Sequence, residues 1–142
     1  MESPQEFVLD GSVTMAWYFK DEMNDYANAV RDGLDQNQAV VPSLWPLEVA
    51  NAVVMGERRK RSTPAQAATW LSFLSALPIV IDGETSARAW GDTLGLARAY
   101  SLSAYDAAYL ELAMRRGVQL ATLDDKLKAA AAAAGVPLLV VN

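Results

Sequence analysis

Four carboxylates stand in apolar surroundings at widely separated points of the chain, and their types and settings indicate the chemistry that the chain could do. They are Asp10, Glu48, Asp106 and Asp124. An ionised carboxylate in such surroundings is costly unless positive charge pairs with it. Oxygen ligands from several carboxylates are what hard divalent cations such as Mg²⁺ or Mn²⁺ prefer. The four residues therefore predict a Mg²⁺ or Mn²⁺ site suited to the hydrolysis of phosphodiester bonds.

The composition excludes several other kinds of site. With 0 His and 0 Cys, the chain has no disulfide, no thiolate zinc site and no histidine base for a serine triad. No apolar run reaches the roughly 18 residues that a membrane span needs, and the acidic start of the chain is unlike a signal peptide. We therefore expect a cytoplasmic protein without a membrane partner.

The charge balance is acidic overall but contains local basic clusters. The net charge of −5 alone argues against binding of nucleic acid. Bound metal would neutralise much of the acidic cluster, however, and several basic residues are candidates for phosphate contacts. The candidates are Arg58, Arg59, Lys60, Arg61, Arg115, Arg116, Lys126 and Lys128. For the run at 58–61, an equally good interpretation is a solvated helix end.

Short apolar runs alternate with segments of helical spacing, and these elements must position the acids. Strands are predicted at 7–9, 39–41, 79–81, 118–122 and 137–141. Helices are predicted at 22–34, 44–60, 84–99 and 103–116, with two more beginning at Thr63 and Asp124. Strands that are apolar on both sides predict a three-layer α/β/α sandwich with a mainly parallel sheet of about five strands. One domain over residues 1–142 accounts for the whole chain.

The order of elements predicts where two of the acids meet. Asp10 follows the first strand and Asp124 follows the fourth, so both should lie at the carboxyl edge of the sheet. Each could instead serve only as a helix N-cap, and that interpretation stays open for both. Base stacking by the tryptophans is a weaker prediction than core or dimer packing. These are Trp17, Trp45, Trp70 and Trp90.

Four segments that carry the acids resemble one family in order and spacing. They are VLDGSV at 8–13, PLEVANA at 46–52, SAYDAAYLELA at 103–113 and LATLDDKL at 120–127. Together they resemble the PIN-domain ribonucleases of the VapC type, the toxins of bacterial toxin–antitoxin pairs. The resemblance implies a PIN fold and a metal-dependent endoribonuclease, the toxin of a type II toxin–antitoxin system. It also implies a VapB-type antitoxin that inserts a segment into the catalytic groove, and a homodimer.

The resemblance also assigns roles to particular residues. Asp10, Glu48, Asp106 and Asp124 match the family's acidic metal-binding positions. Further residues are expected to support these ligands or to line their pocket. They are Ser12, Asn51, Thr122 and Asp125. Asn51 lies one helical turn beyond Glu48, and for Asp125 capping or solvent exposure is an equally good interpretation.

Other functions fit the sequence less well. A PIN-like module that binds RNA or a protein without catalysis is the main alternative, although such a copy would be expected to have lost ligand acids. An aspartate-nucleophile phosphohydrolase needs an acid two residues after the first, where this chain has Ser12. A phosphate-accepting receiver domain lacks its acidic pair for a similar reason. A DNA nuclease of related fold is a further alternative.

Overall fold

Four parallel strands form a single sheet in the order β3-β2-β1-β4 within residues 5–141, which the computed structural model describes. The strands are β1 (Gln5–Leu9), β2 (Asn37–Val41), β3 (Ile79–Ile81) and β4 (Gln119–Ala121). In the central pairings Val8 lies opposite Val40 on one side and opposite Leu120 on the other. All three of these side chains are buried, which confirms the prediction of apolar parallel strands within an α/β sandwich.

Eight α-helices surround the sheet within the described residues. They are α1 (Gly11–Ala16), α2 (Asp25–Asp32), α3 (Trp45–Arg58), α4 (Pro64–Ser75), α5 (Thr85–Arg88), α6 (Leu94–Tyr100), α7 (Ala104–Arg116) and α8 (Asp125–Ala134). A π-helical turn at Ala89–Thr93 joins α5 to α6. Among these helices none is long and apolar enough to cross a membrane.

Local sequence signals account for several helix ends. Thr63 caps α4 through a reciprocal capping box with Gln66, and Pro64 occupies the first turn, as the sequence predicts. Helices α7 and α8 end at Gly117 and Gly135, whose φ angles of 65° and 78° lie in the left-handed region that glycine adopts without steric cost. Gly117 thus ends α7, the helix that carries Asp106 and packs against β1 and β4.

The sheet has four strands rather than about five. The predicted last strand at 137–141 contributes only an isolated parallel bridge between Leu138 and Leu120. Two backbone hydrogen bonds hold it, from Leu120 to the Pro137 carbonyl and from Leu139 to the Leu120 carbonyl. Pro137 has no backbone N–H to extend the pairing, and the exposed Val140 side chain finds no place in the core.

Three of the four tryptophans belong to the packed interior. Trp45 is buried and donates its indole N–H to Thr14, while Trp17 and Trp70 pack partly buried against the core. Trp90, on the π-helical turn, is 93% exposed. The prediction of core packing therefore describes the first three, although Trp70 also lines a surface groove, and Trp90 is the most exposed of the four.

Helix α3 approaches the turn after α1 so closely that position 56 accepts no side chain. A Cβ atom at Gly56 would lie 2.6 Å from the ring of Phe19. That ring is buried, and the Arg61 guanidinium lies over it at 3.8 Å from its centre. We expect Gly56→Ala to lower the free energy of unfolding by about 1–2 kcal/mol because the ring has little room to shift.

Denaturant unfolding of Gly56→Ala, with Gly95→Ala as its matched control, checks this expectation. Gly95 lies in α6, and a Cβ atom added there meets nothing within 4 Å. Alanine at that position should leave stability unchanged or raise it by about 0.5–1 kcal/mol. Equal effects of the two substitutions would contradict the close packing of Phe19 on α3.

Candidate functional site

The carboxyl ends of β1 and β4 hold the most buried acid of the site. The Asp10 backbone N–H donates to the Ala121 carbonyl at 3.0 Å, which places Asp10 beside Thr122. The Asp10 side chain is 6% exposed, and its Oδ2 accepts hydrogen bonds from Ser12 Oγ at 2.6 Å and Thr122 Oγ1 at 2.8 Å. Ser12 and Thr122, both predicted to support the ligands, thus fix the Asp10 carboxylate, which makes no capping hydrogen bond to α1.

Helices α3 and α7 bring Glu48 and Asp106 to the same edge. Both acids lie in the first turn of their helices, and the Ser103 hydroxyl caps α7 by accepting from the Asp106 N–H at 3.1 Å. The buried Tyr109 hydroxyl donates a hydrogen bond to Glu48 Oε1, linking the two helices. Tyr109 was not predicted as a site residue, although it lies one helical turn after Asp106 and therefore on the same face.

Asp124 combines two roles that the sequence left open. It is the N-cap of α8, where its Oδ2 accepts from the Leu127 N–H at 3.3 Å. Its own N–H donates to Thr122 Oγ1 at 3.0 Å, which ties it to the residue that holds Asp10. The cap is therefore observed, and it leaves Asp124 on the wall of the same cleft as the other acids.

A cleft of about 500 Å³ collects most of the predicted site residues. All four acids line it, as do Ser12 and Asn51, while Thr122 lies behind Asp10. Arg59 and Arg61 line the same cleft. Asp125 is not among its lining residues, because its side chain points to solvent and lies 4.0 Å from Lys128.

Three carboxyl groups of the cleft, those of Asp10, Glu48 and Asp106, have raised pKa values. Burial raises the pKa of Asp10, and the hydrogen bonds from Ser12 and Thr122 oppose this only in part. Burial also raises the pKa values of Glu48 and Asp106, and repulsion from neighbouring acids of the cleft adds to both. Burial and the nearby carboxylates raise the pKa of Tyr109 far above its usual range, so its hydroxyl remains a donor. When ionised, these acids therefore concentrate negative charge that the neighbouring basic residues compensate only in part.

The types of donor atom in the cleft favour a metal ion, whereas the distances between the acids do not. The donors are carboxylate, hydroxyl and amide oxygens in a partly buried cleft, which suits a hard divalent cation. Within residues 5–141, however, no three acidic side chains come close enough together to form a ready-made metal site. The residues fit Mg²⁺ or Mn²⁺ by donor type, and all four acids line one cleft, but binding would require side chains to move closer together.

The predicted basic residues fall into separate groups. Arg61 pairs with Asp21 at 2.8 Å and with Glu22 at 2.6 Å, so these two acids largely neutralise its charge at the rim of the cleft. Arg59 makes no ion pair with any described residue. Lys126 lies near enough to Asp106 to oppose the rise in the pKa of that carboxyl. Arg59 and Lys126 are thus the basic residues best placed for a ligand of the cleft.

The other basic candidates lie elsewhere. Arg115 and Arg116 both bind the buried Asp82 carboxylate at 3.0 Å, and this pairing holds the pKa of Asp82 well below its usual range. Their role in the structure is to neutralise that acid. Arg58 approaches the Met55 sulfur at 3.8 Å, and Lys60 adopts the left-handed φ of 60° at the end of α3.

Comparison with known proteins identifies the family. The fold and the cleft define an α/β protein with an acidic site at the carboxyl ends of its parallel strands. The family model of the PIN domain matches residues 7–133, so this chain belongs to the PIN domain family. Membership supports nuclease chemistry at the acidic cleft. A search of curated protein sequences gives no match.

Three solved structures share the fold at low sequence identity. PAE2754 from Pyrobaculum aerophilum is 22% identical with a TM-score of 0.60, covering 89% of this chain and 84% of its own. VapBC2 from Rickettsia felis, bound to a DNA fragment from their promoter, is 16% identical with a TM-score of 0.67, covering 97% and 100%. FitAcB from Neisseria gonorrhoeae is 16% identical with a TM-score of 0.62, covering 94% and 96%.

Proposed function

We propose that this chain is a Mg²⁺- or Mn²⁺-dependent endoribonuclease, the VapC-type toxin of a type II toxin–antitoxin pair. The observation that carries the proposal is the convergence of four acids, from four separate chain segments, on one cleft. Fold likeness to VapBC2 and membership of the PIN domain family support it. Asp10, Glu48, Asp106 and Asp124 would hold the metal, and Ser12 and Thr122 would keep Asp10 oriented.

In this proposal each part of the cleft has a task. When bound, a divalent ion would supply the positive charge that phosphodiester hydrolysis needs, both for activating water and for stabilising the transition state. Asp106 and Glu48 are the candidate proton acceptors, and the role would fall to whichever of them keeps a carboxylate oxygen that does not bind the ion. Asn51, exposed on the cleft wall, is placed to hydrogen-bond an RNA phosphate or a neighbouring carboxylate.

Arg59 supplies the proposed contact to RNA phosphate. It lines the cleft and is not neutralised by a described carboxylate, unlike Arg61. We expect Arg59→Ala to raise KM about 3- to 10-fold with little change in kcat, and to reduce the salt dependence of RNA binding by about one ion. Steady-state cleavage at several salt concentrations measures both effects. Arg58→Ala is the control. An equal effect of Arg58→Ala would show that positive charge in this segment aids RNA binding in general, without a specific contact from Arg59.

The partners belong to the same proposal. A larger groove of about 920 Å³ adjoins the acidic cleft, and Arg61 lines both. Aromatic side chains line this groove, among them Tyr18, Trp70 and Phe73. It offers an apolar seat for a segment of a VapB-type antitoxin that reaches into the cleft. The homodimer, the cytoplasmic location and a single domain over residues 1–142 remain predictions of the sequence.

The alternative function is a PIN-like module that binds RNA or protein without catalysis. The spacing of the acids favours it, because no three described acids form a ready-made metal site. Cleavage of total RNA by the purified protein, with Mg²⁺, Mn²⁺ or EDTA, separates the two functions. Discrete metal-dependent fragments that are absent with Asp106→Asn establish the ribonuclease. RNA that is bound but not cut under any condition would establish the binding module.

A further inference from the structure

Tyr109 joins two of the acidic elements through a single hydrogen bond. It is 1% exposed in the middle of α7, and its hydroxyl donates to Glu48 Oε1 on α3. A Cβ atom at Gly11 would lie 3.8 Å from this hydroxyl and 3.9 Å from Glu48 Oε1. The pair therefore lies against the first turn of α1, directly after Asp10.

The hydrogen bond gives the two carboxylate oxygens of Glu48 different surroundings. Oε1 is occupied by the Tyr109 hydroxyl, whereas Oε2 accepts no hydrogen bond from a described residue and faces no cation within ion-pair distance among residues 5–141. Glu48 lines the cleft together with Asp106, which lies one turn before Tyr109 on α7. Glu48 can thus offer one free oxygen to a ligand in the cleft while its other oxygen stays fixed.

The number of oxygens that Glu48 offers affects which ion is favoured. Mg²⁺ takes six ligands in near-octahedral geometry and is commonly bound through one or two carboxylates and several waters. Ca²⁺ takes six to eight oxygens and readily accepts both oxygens of one carboxylate. The Tyr109 hydroxyl takes one lone pair of Oε1 and reduces the charge that this oxygen can offer, which weakens bidentate binding by Glu48 and so disfavours Ca²⁺ in particular.

We propose that Tyr109 is a positioning residue that restricts Glu48 to one metal-facing oxygen and so favours small divalent ions over Ca²⁺. The inference rests on the proposed function, since it requires a divalent ion in the acidic cleft. It gives a structural reason for the preference between ions. That reason is Tyr109, a residue that does not itself contact the ion. The hydroxyl acts entirely through Glu48.

Isothermal titration of the metal-free protein with Mn²⁺ and with Ca²⁺ tests the proposal. We expect Tyr109→Phe to weaken Mn²⁺ binding about 10-fold, as loss of an outer hydrogen bond to a ligand typically does. Ca²⁺ binding should be unchanged or tighter, because both Glu48 oxygens become available. The Ca²⁺ dissociation constant divided by the Mn²⁺ dissociation constant should therefore fall at least about 10-fold. Both ions are measured on one preparation, so a change in folded fraction cancels from the ratio.

Tyr105→Phe is the matched control on the same helix. Its side chain is 67% exposed, and it makes no hydrogen bond to the acids of the cleft. The same loss of one hydroxyl there should leave both dissociation constants unchanged. A ratio for Tyr109→Phe within about threefold of wild type would overturn the inference, including the case in which both ions bind equally more weakly.

A double-mutant cycle separates action through Glu48 from other effects of Tyr109. We expect Tyr109→Phe to weaken Mn²⁺ binding in wild type but to have no further effect in Glu48→Gln. Additive effects would assign Tyr109 a role independent of Glu48 and would overturn the inference. Failure of the proposed function is distinguishable, because it would appear in the wild-type protein, as absence of Mn²⁺ binding or of RNA cleavage, whereas failure of the inference alone leaves both intact in wild type.

Discussion

Asp106→Asn is expected to lower RNA cleavage by at least about 100-fold, more than the loss of a typical outer hydrogen-bond partner to a metal ligand. The variant should nevertheless fold as well as wild type, and its metal-free thermal midpoint should equal or slightly exceed that of wild type. Burial and repulsion from Asp10 and Asp124 raise the pKa of the Asp106 carboxyl, so its ionised form is unfavourable in the folded state. An amide of the same shape removes that repulsion and also removes a ligand oxygen.

The measurement combines cleavage rates at saturating Mn²⁺ with thermal unfolding in EDTA. Asp125→Asn is the matched control, because Asp125 is an acid of the same region whose side chain is almost fully exposed and outside the cleft. It should retain both activity and stability. An Asp106→Asn protein that unfolds would show that the acid is structural. One that folds and cuts RNA at the wild-type rate would remove Asp106 from the catalytic cleft.

The sequence was sufficient for the fold because its local and long-range signals agree. Apolar runs without polar alternation predicted parallel strands, and Gly117 and Gly135 end helices as such signals predict. The segment at 137–141 shows the limit of this reasoning. Its composition favours a strand, yet whether it pairs beyond one bridge depends on Pro137 and on the space beside β4, which periodicity does not report.

The site could be predicted as a set of acids but not as a set of contacts. Asp10 and Asp124 were predicted at one edge because they follow parallel strands. Tyr109 was missed because its partner Glu48 is 61 residues away in the chain, and a tyrosine in an alanine-rich helix has the same pattern as a core residue. Arg115 and Arg116 were predicted to contact RNA because sequence shows charge but does not show Asp82 beside them.

Mn²⁺ is expected to stabilise the wild-type protein strongly at neutral pH and progressively less as the pH falls. Folded-state pKa values of Asp10, Glu48 and Asp106 are raised, so these groups contribute stability below the ordinary carboxyl range and lose it as pH rises through their raised pKa values. Above those raised pKa values the metal-free cleft therefore carries the unfavourable charge that a cation would compensate. At low pH protons occupy the same oxygens and compete with the ion.

Binding at 100 times the dissociation constant corresponds to about 2.7 kcal/mol of added stability, or roughly 5–10 °C in the thermal midpoint. Thermal unfolding with and without MnCl₂ between pH 5 and 8, at constant ionic strength, measures the difference. Asp82 does not disturb this difference, because the stability that its lowered pKa contributes is lost only below the ordinary carboxyl range, beneath the pH window measured. Asp10→Asn should show little stabilisation at any pH. If Mn²⁺ raised the thermal midpoint of Asp10→Asn as much as that of wild type, or raised it more as the pH fell, the ion would bind outside the cleft.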